Sequence, residues 1–278
     1  MSQPGVLEDM TFALERVAGI SRLVELDVFS DCDLETLLLI LGHAEELAAK
    51  SFAPINQTGD REGARFDGES VICPAGFRDA YADLIDAGWC ALPFDPAFGG
   101  GGFPEVAAIA THEVLTAANM ALASCAGLTH AGAHLLQAWG SAAQKEALLP
   151  KLIAGEWSGT MGLTEPDAGT ALGLVRTRAT KTASGWRVFG TKVFTSFGDQ
   201  DLTENVLHFV LARVEGSPPG SKGVSLFVVP KFELDSDLRM IDRRNAVRAT
   251  GLERKFGLHA SPTCVMTYEG ASGFLIGE

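Results

Sequence analysis

The chain has 278 residues, of which 46% are hydrophobic and 21% are charged, and its formal net charge is −13. This composition supports a buried core and excludes a disordered chain or a fibrous repeat, and the length favours two domains. Residues 1–150 hold 7 Lys and Arg against 21 Asp and Glu, so nucleic acid and anionic membrane surfaces are excluded as expected partners.

The first half predicts a helical domain. Five stretches carry apolar residues at helical spacing, with an acidic cap region before the first and a proline at the start of the second. They are residues 33–52, 74–89, 104–119, 120–140 and 141–157. Residues 53–74 are rich in turn-forming residues, and we expect a loop there. Residues 120–140 carry no formal charge, but polar side chains such as His130 and Gln137 favour a buried helix over a membrane span.

A Gly-rich segment, LPFDPAFGGGGFP, occupies Leu92–Pro104. Four consecutive glycines suggest a phosphate-binding loop, but no Gly-Lys-Ser/Thr follows and no strand with a spaced GxGxxG frames them. We therefore expect a tight chain reversal that passes close to another backbone or to a ligand.

Histidines and cysteines predict no metal site. Five cysteines occur without a CxxC pair, which is typical of reduced thiols in a cytoplasmic protein. His130 and His134 stand at positions i and i+4, so a metal pair is conceivable. No HExxH glutamate lies between them, however, and we expect two helix histidines satisfied by neighbouring groups. The first residues, MSQPGVLEDM, lack the basic start and apolar core of a signal peptide.

Near Ser158 the spacing of the apolar residues changes from a helical period to a strand-like one. Short runs rich in Val, Phe and Thr are separated by Gly, Pro, Asn and Asp, and Ala183-Ser184-Gly185 is typical of a hairpin turn. The predicted strands are WRVFG, TKVFTSFG, NVLHFVLARV, GVSLFVVP and TCVMTYEG. The sequence thus predicts an α+β protein, with an all-helical domain at residues 1–157 followed by an antiparallel β-sandwich or barrel domain at 158–278.

Several motifs of the second half occur together in a fixed order. MGLTEPDAGT is followed by RTRA, GTKVFTSFG, KGVSLFVVPK and LERKFGLHASPTC. In order and spacing they resemble the middle domain of the acyl-CoA dehydrogenase family, and the Gly-rich segment resembles a loop of that family's N-terminal helical domain. DLTENVLHFVLAR and RNAVRATGLERKFGLHASPTCVM are most similar to the branch that acts on 3-(methylthio)propanoyl-CoA and fatty acyl-CoAs.

This resemblance implies that residues 158–278 bind FAD, with the Thr-Glu-Pro crossing against the flavin ring. Eight cofactor-binding residues follow from it: Met161, Leu163, Thr164, Gly169, Thr170, Phe194, Thr195 and Ser196. Met161 and Leu163 would give apolar surface, Gly169 would let the chain approach the pyrophosphate, and Thr170 would contact phosphate or substrate. The family usually has an apolar residue at the position of Thr195 and often an aromatic one at that of Met161. Ala171 stands where Asp or Asn is common.

Three charged residues beside these motifs have other interpretations. The resemblance makes Glu165 a structural member of the turn rather than a catalytic carboxylate. Arg176 and Arg178 alternate with Val175 and Thr177, so they form either a solvated strand face or a surface that steers anionic CoA.

The implied reaction is FAD-dependent α,β-dehydrogenation of an acyl-CoA, with an electron-transferring flavoprotein as acceptor. In the family the glutamate base comes from a third, helical domain. The sequence ends at GASGFLIGE, where we expect that domain to begin, so no catalytic residue is assigned. We expect a homo-oligomer or a partner chain that supplies this domain. The alternative is a truncated, non-catalytic remnant.

Overall fold

The computed structural model describes residues 6–29, 32–183 and 185–277. In these residues the first half folds into α-helices joined by short 3-10 and π-helical segments. They are α1 (Val6–Phe12), α2 (Ile20–Leu23), α3 (Leu34–Leu47), α4 (Ala53–Glu62), α5 (Phe77–Asp86), α6 (Glu105–Trp139) and α7 (Ala142–Ile153). The side chain of Asp33 caps α3, because it accepts a hydrogen bond from the amide of Thr36 at 2.7 Å.

A β-barrel forms the second half, and a short hairpin of two strands lies within the helical half. The strands are β1 (Arg65–Phe66), β2 (Val71–Ile72), β3 (Trp157–Gly162), β4 (Arg178–Thr182), β5 (Gly185–Ser196), β6 (Asn205–Val214), β7 (Val224–Pro230), β8 (Phe232–Leu234), β9 (Met240–Arg244), β10 (Val247–Leu252) and β11 (Thr263–Leu275). Pairing runs from β5 through β4, β6, β7 and β11 back to β5, which closes the barrel.

The predicted fold class is confirmed, with one difference in strand direction. β3 and β4 both pair with β6 in parallel, whereas the other pairs are antiparallel. β3 follows residues 205–210 of β6 and β4 follows residues 213–214, so the two strands succeed one another along the same edge. The segment between them, residues 163–177, therefore leaves the sheet and re-enters it, and we call it the crossing. The domain boundary after residue 157 stays a prediction.

The expected loop at residues 53–74 is wrong for most of its length. α4 continues from α3 through the π-helical segment Ala48–Phe52, and its proline is the second residue of α4, where that segment already interrupts the regular α-helical hydrogen bonds. A Cβ at Gly59 would lie 2.5 Å from the Phe77 ring, so this glycine allows α4 to pack closely on α5. Of the predicted turn at 183–185, Ser184 lies outside the described residues, while Thr182 and Gly185 pair antiparallel.

The two central helices of the first half form one hairpin. At Asn119, φ is −157° and ψ is 88°, so α6 bends there into two arms, residues 105–118 and 120–139. The buried Asn119 amide donates to the Phe52 carbonyl at 3.2 Å, and its oxygen accepts from the Leu122 amide at 3.1 Å, which caps the second arm. By length and composition α6 could cross a membrane, but more than half of its most apolar stretch is buried.

The second arm joins the helical half to the barrel. The Thr129 hydroxyl accepts a hydrogen bond from the Gly159 amide of β3 at 3.1 Å, and a Cβ at Gly132 would lie 2.5 Å from the ring of Phe209. The crossing therefore starts from β3, and these contacts hold β3 against the helical half.

Candidate functional site

The two sequence motifs implied to bind flavin lie side by side. The Thr160 hydroxyl of β3 donates to the Ser196 carbonyl at 2.5 Å, and the Val193 amide donates to the Thr164 carbonyl at 2.9 Å. These bonds hold the end of β3 and the start of the crossing against the last residues of β5. The structure therefore brings the Thr-Glu-Pro motif and the Phe-Thr-Ser motif together.

A buried ion pair fixes the crossing from beneath. Lys192 is 0% exposed, and its ammonium donates to a Glu165 carboxylate oxygen at 2.8 Å and to the Leu163 carbonyl at 3.0 Å. Glu165 also accepts from the amides of Arg176 and Thr177, at 2.7 and 2.9 Å. One carboxylate thus joins the start of the crossing, its end and β5. The structural role that the resemblance implies for Glu165 agrees with these contacts.

The ionisation of this pair follows from its contacts. Burial alone would raise the pKa of Glu165, but hydrogen bonds from Lys192, Thr177 and the backbone hold that pKa below its ordinary value. Burial lowers the pKa of Lys192, and the hydrogen bond and charge of Glu165 oppose that shift. Glu165 is therefore a carboxylate at neutral pH with its acceptor sites in use, which makes it a poor general base.

Phe194 has an unusual backbone conformation for an exposed aromatic residue. Its φ is +58°, and the residue is 61% exposed. It lies in a β-bulge, because two residues of β5, Val193 and Phe194, stand opposite the single residue Val265 of β11. The left-handed conformation costs about 1–2 kcal/mol for a residue with a Cβ. The bulge turns the Phe194 side chain toward solvent, although burial of an aromatic ring lowers the free energy of the folded chain.

The turn of the crossing leaves polar groups free beside Phe194. Glu165 and Ala168 exchange two backbone hydrogen bonds at 2.9 and 3.1 Å, which closes a tight turn and exposes Gly169 and Thr170 after it. Among the described residues, the hydroxyls of Thr164, Thr170 and Ser196 have no hydrogen-bond partner. The amides of Thr164, Gly169 and Thr170 likewise donate to no group of the described chain.

We call the accessible residues at this junction of the crossing and β5 the outer face. It consists of Leu163, Thr164, Gly169, Thr170, Phe194 and Ser196. Leu163 is 38% exposed, so the face combines two apolar side chains with three free hydroxyls and three free amides. A Cβ at Gly169 would meet nothing closer than the Thr164 methyl at 4.0 Å, so packing within the described chain does not require glycine there.

Two of the eight predicted residues, Met161 and Thr195, are not included in the outer face. Thr195 is 0% exposed, because it points into the barrel from β5, and its buried hydroxyl has no partner among the described residues. Met161 is half-buried and packs against the core between barrel and helices. Neither side chain is exposed as Phe194 and Leu163 are, and the contact of Thr195 and Met161 with the cofactor stays a prediction.

The alternating arginines have partners within the chain. Arg176 forms an exposed ion pair with Asp167 at 3.1 Å, and the Arg178 guanidinium lies 4.7 Å from the centre of the Phe189 ring. These contacts favour the solvated strand face over a dedicated CoA-binding surface. Sequence reasoning missed Lys192, although a lysine within the apolar run of β5 was the available signal.

Known proteins are similar to this chain in sequence. Residues 35–156 match the family model "Acyl-CoA dehydrogenase, N-terminal domain". The whole chain aligns with 47% of the 3-methylmercaptopropionyl-CoA dehydrogenase of Ruegeria pomeroyi at 39% identity over 279 residues. The chain belongs to the acyl-CoA dehydrogenase family. A broad-specificity linear acyl-CoA dehydrogenase of Mycobacterium tuberculosis is 38% identical over 98% of this chain and 46% of its own length.

Solved structures of the family show the same fold. A glutaryl-CoA dehydrogenase of Mycobacterium smegmatis in complex with FADH2 is 19% identical, covers 96% of this chain and 57% of its own, and superposes with a TM-score of 0.68. The chain spans about half the length of the curated relatives described above.

Proposed function

We propose that this chain supplies the FAD- and acyl-CoA-binding part of an acyl-CoA dehydrogenase. The observation that carries the proposal is the outer face, where an aromatic side chain held in a strained conformation lies beside hydrogen-bond donors without partners. A flat, partly apolar ring with polar edges suits such a surface, because its face packs on aromatic and aliphatic groups while its edge accepts hydrogen bonds.

Each residue of the outer face would have a distinct role toward FAD. Phe194 and Leu163 would contact the ring, and the hydroxyls of Thr164 and Ser196 would donate to its polar edge. Gly169 and Thr170 would place two backbone amides toward the pyrophosphate, since successive free amides bind anions well. Thr170 is also the residue we propose for contact with the acyl-CoA. The fit of FAD rests on these free groups.

The chemistry of the bound cofactor would be acceptance of a hydride from the β-carbon of the thioester. This chain's own contribution would be to orient that ring, to supply fixed donors where negative charge develops, and to exclude water with Phe194 and Leu163. No base is assigned within it. Glu165 and Asp167, the carboxylates of the crossing, are held by Lys192 and Arg176, and we propose that the base belongs to a further helical domain.

The substrate, partners and location extend the same proposal. The substrate would be an acyl-CoA, and 3-methylmercaptopropionyl-CoA is the first to test because it is named for the 39% identical relative. We propose an electron-transferring flavoprotein as acceptor and a cytoplasmic location. A homo-oligomer, or a partner chain that supplies the helical domain, would cover the exposed apolar groups of the outer face.

Reconstitution with FAD tests this proposal. The chain is titrated with FAD while flavin fluorescence is followed, and the loaded chain is then mixed with the acyl-CoA to look for bleaching of the flavin absorbance. Phe194→Ala is the test variant. Phe12→Ala is its matched control, because Phe12 is 63% exposed on α1, away from the crossing.

The expected result is saturable FAD binding that Phe194→Ala weakens about tenfold, for a stacking contact of about 1.4 kcal/mol, and that Phe12→Ala leaves unchanged. Because no base is assigned, we expect no bleaching by acyl-CoA from the chain alone. Bleaching would show that the base lies within this chain. A folded chain that takes up no FAD would contradict the proposal and support the non-catalytic alternative.

A further inference from the structure

Three ligand-type side chains meet in the helical half, away from the outer face. Glu105 is the first residue of α6, and His130 and His134 lie on its second arm, one turn apart. His130 Nε2 lies 2.7 Å from one oxygen of Glu105, and His134 Nε2 lies 2.9 Å from the other. The two imidazole nitrogens are 3.1 Å apart. The bend at Asn119 makes this possible, because it folds residue 105 back beside residues 130–134.

We propose that Glu105, His130 and His134 form a binding site for a divalent transition-metal ion, with Zn²⁺ as the ion that suits them best. Two imidazoles and one carboxylate are the ligand set of many three-residue zinc sites, which keep a further position for water. Imidazole nitrogen also discriminates against Mg²⁺ and Ca²⁺, which prefer oxygen ligands.

The separation of the two imidazole nitrogens is close to the one that an ion would impose. Zinc binds imidazole nitrogen at roughly 2.0–2.1 Å, so two nitrogens in tetrahedral positions lie about 3.4 Å apart. The observed separation of 3.1 Å requires a shift of only a few tenths of an ångström. Without an ion, each imidazole Nε2 carries at most one proton, so protons cannot occupy all three of these short contacts at once. One ion replaces those protons and satisfies all three groups together.

The Gly-rich segment builds the support for this cluster. The wholly buried ring of Phe94 packs against His134 and His130, with centroids 4.7 and 5.2 Å away. A Cβ at Gly100 would lie 1.9 Å from the Phe94 carbonyl oxygen, so a larger residue there would displace Phe94. The amide of Gly102 donates to that same carbonyl at 2.9 Å. These contacts lie within the segment itself, so the expected tight chain reversal is present, while its approach to another backbone or to a ligand stays a prediction. Glu105 follows the segment directly.

The cluster is accessible to an ion from solution. The side chains of His130, His134 and Glu105 are 27%, 39% and 44% exposed, so one side remains open for entry and for a water ligand. Because Glu105 and the histidines belong to opposite arms of α6, a bound ion would cross-link the helical hairpin. We therefore expect the ion to stabilise the helical half.

Metal binding by the untagged chain tests the proposal. The chain is stripped with EDTA, dialysed and titrated with Zn²⁺ against a chromophoric chelator, and thermal unfolding is followed with and without the ion. Co²⁺ replaces Zn²⁺ in a parallel titration, because its visible absorption reports tetrahedral coordination. Glu105→Gln and His134→Gln are the test variants, and His43→Gln, at an exposed histidine of α3, is the matched control.

The expected result is one Zn²⁺ per chain, a rise in Tm on adding it, and a Co²⁺ spectrum of the tetrahedral type. We expect at least a tenfold loss of affinity in Glu105→Gln and in His134→Gln, and wild-type binding in His43→Gln. A wild-type chain that binds no Zn²⁺ would show that the cluster is a hydrogen-bonded His–Glu–His group only, and would overturn the proposal. Equal affinity in the wild type and in both test variants would overturn it as well.

Discussion

The two sides of the crossing are built in opposite ways. On its inner side, Glu165 and Lys192 are buried and their hydrogen-bonding groups are paired with one another or with the backbone. On the outer face, Phe194 is exposed in a strained conformation, and hydroxyls and amides have no partners in the described chain. The inner side therefore serves stability, whereas the outer face keeps a strained aromatic residue and solvent-accessible donors that a ligand can contact.

Removing the Glu165–Lys192 ion pair of the inner side should produce the largest change in stability. Lys192→Met leaves the Glu165 carboxylate buried without its cation, so we expect the free energy of unfolding to fall by about 3–5 kcal/mol. Chemical denaturation monitored by circular dichroism measures this. Arg176→Ala, which removes an exposed ion pair, is the matched control, with an expected change below about 0.5 kcal/mol. A similar small loss in Lys192→Met would mean that the ion pair does not anchor the crossing.

Two phenylalanines separate the effect of strain from that of burial. Phe194 and Phe197 both have positive φ, +58° and +51°, but Phe197 is 0% exposed. Phe197→Gly should cost about 3 kcal/mol of unfolding free energy through lost packing. Phe194→Gly should leave stability unchanged or raise it by up to about 1 kcal/mol, because glycine relieves the strain and little burial is lost. Equal destabilisation by both would show that Phe194 contributes to the core.

The pH dependence of the unfolding free energy tests the role of the inner side further. A carboxyl whose folded pKa lies below its ordinary value contributes stability above that ordinary value, and this contribution is lost as pH falls through the lowered pKa. Since the pKa of Glu165 is lowered, the unfolding free energy should fall more steeply below about pH 4.5 in the wild type than in Glu165→Gln/Lys192→Met. The difference should stay below about 1.4 kcal/mol per pH unit. Identical slopes in urea titrations at several pH values would contradict the assignment.

A smaller effect concerns one hydroxyl of the outer face. Ser196→Ala removes a donor that is free in the described chain, so stability should not change while FAD affinity falls roughly threefold to tenfold, as expected for one hydrogen bond. Ser225→Ala, at a half-buried serine of β7, is the control. Loss of stability without loss of FAD affinity would show that the Ser196 hydroxyl does not bind FAD.

Much of the fold was predictable from the sequence because its elements have clear local periods. NVLHFVLARV is β6 itself, and the alternating runs of the second half become β5, β7 and β11. The helix α4 was missed because Pro54 and Gly59 are typical of loops, although here one occupies a first turn and the other packs on Phe77. β8, β9 and β10 were missed since they are short and partly exposed.

The sequence predicts the site only where its residues follow one another within a motif. The resemblance named the outer-face residues, but whether a side chain faces the surface depends on the bulge at Val193 and Phe194, which only the pairing with β11 defines. The same holds for Thr195, which that bulge leaves in the barrel interior. Contacts between distant residues, such as Glu165 with Lys192 and Glu105 with His134, depend on a bend or a crossing that carries no local signal.

Amide hydrogen exchange with and without FAD tests most directly whether the outer face binds the cofactor. We expect FAD to slow exchange at Thr164, Gly169 and Thr170, whose amides are free in the described chain. The amides of Glu165 and Ala168, already paired with each other, should change little and serve as internal controls. FAD binding that leaves all three free amides exchanging at their original rates would contradict the account.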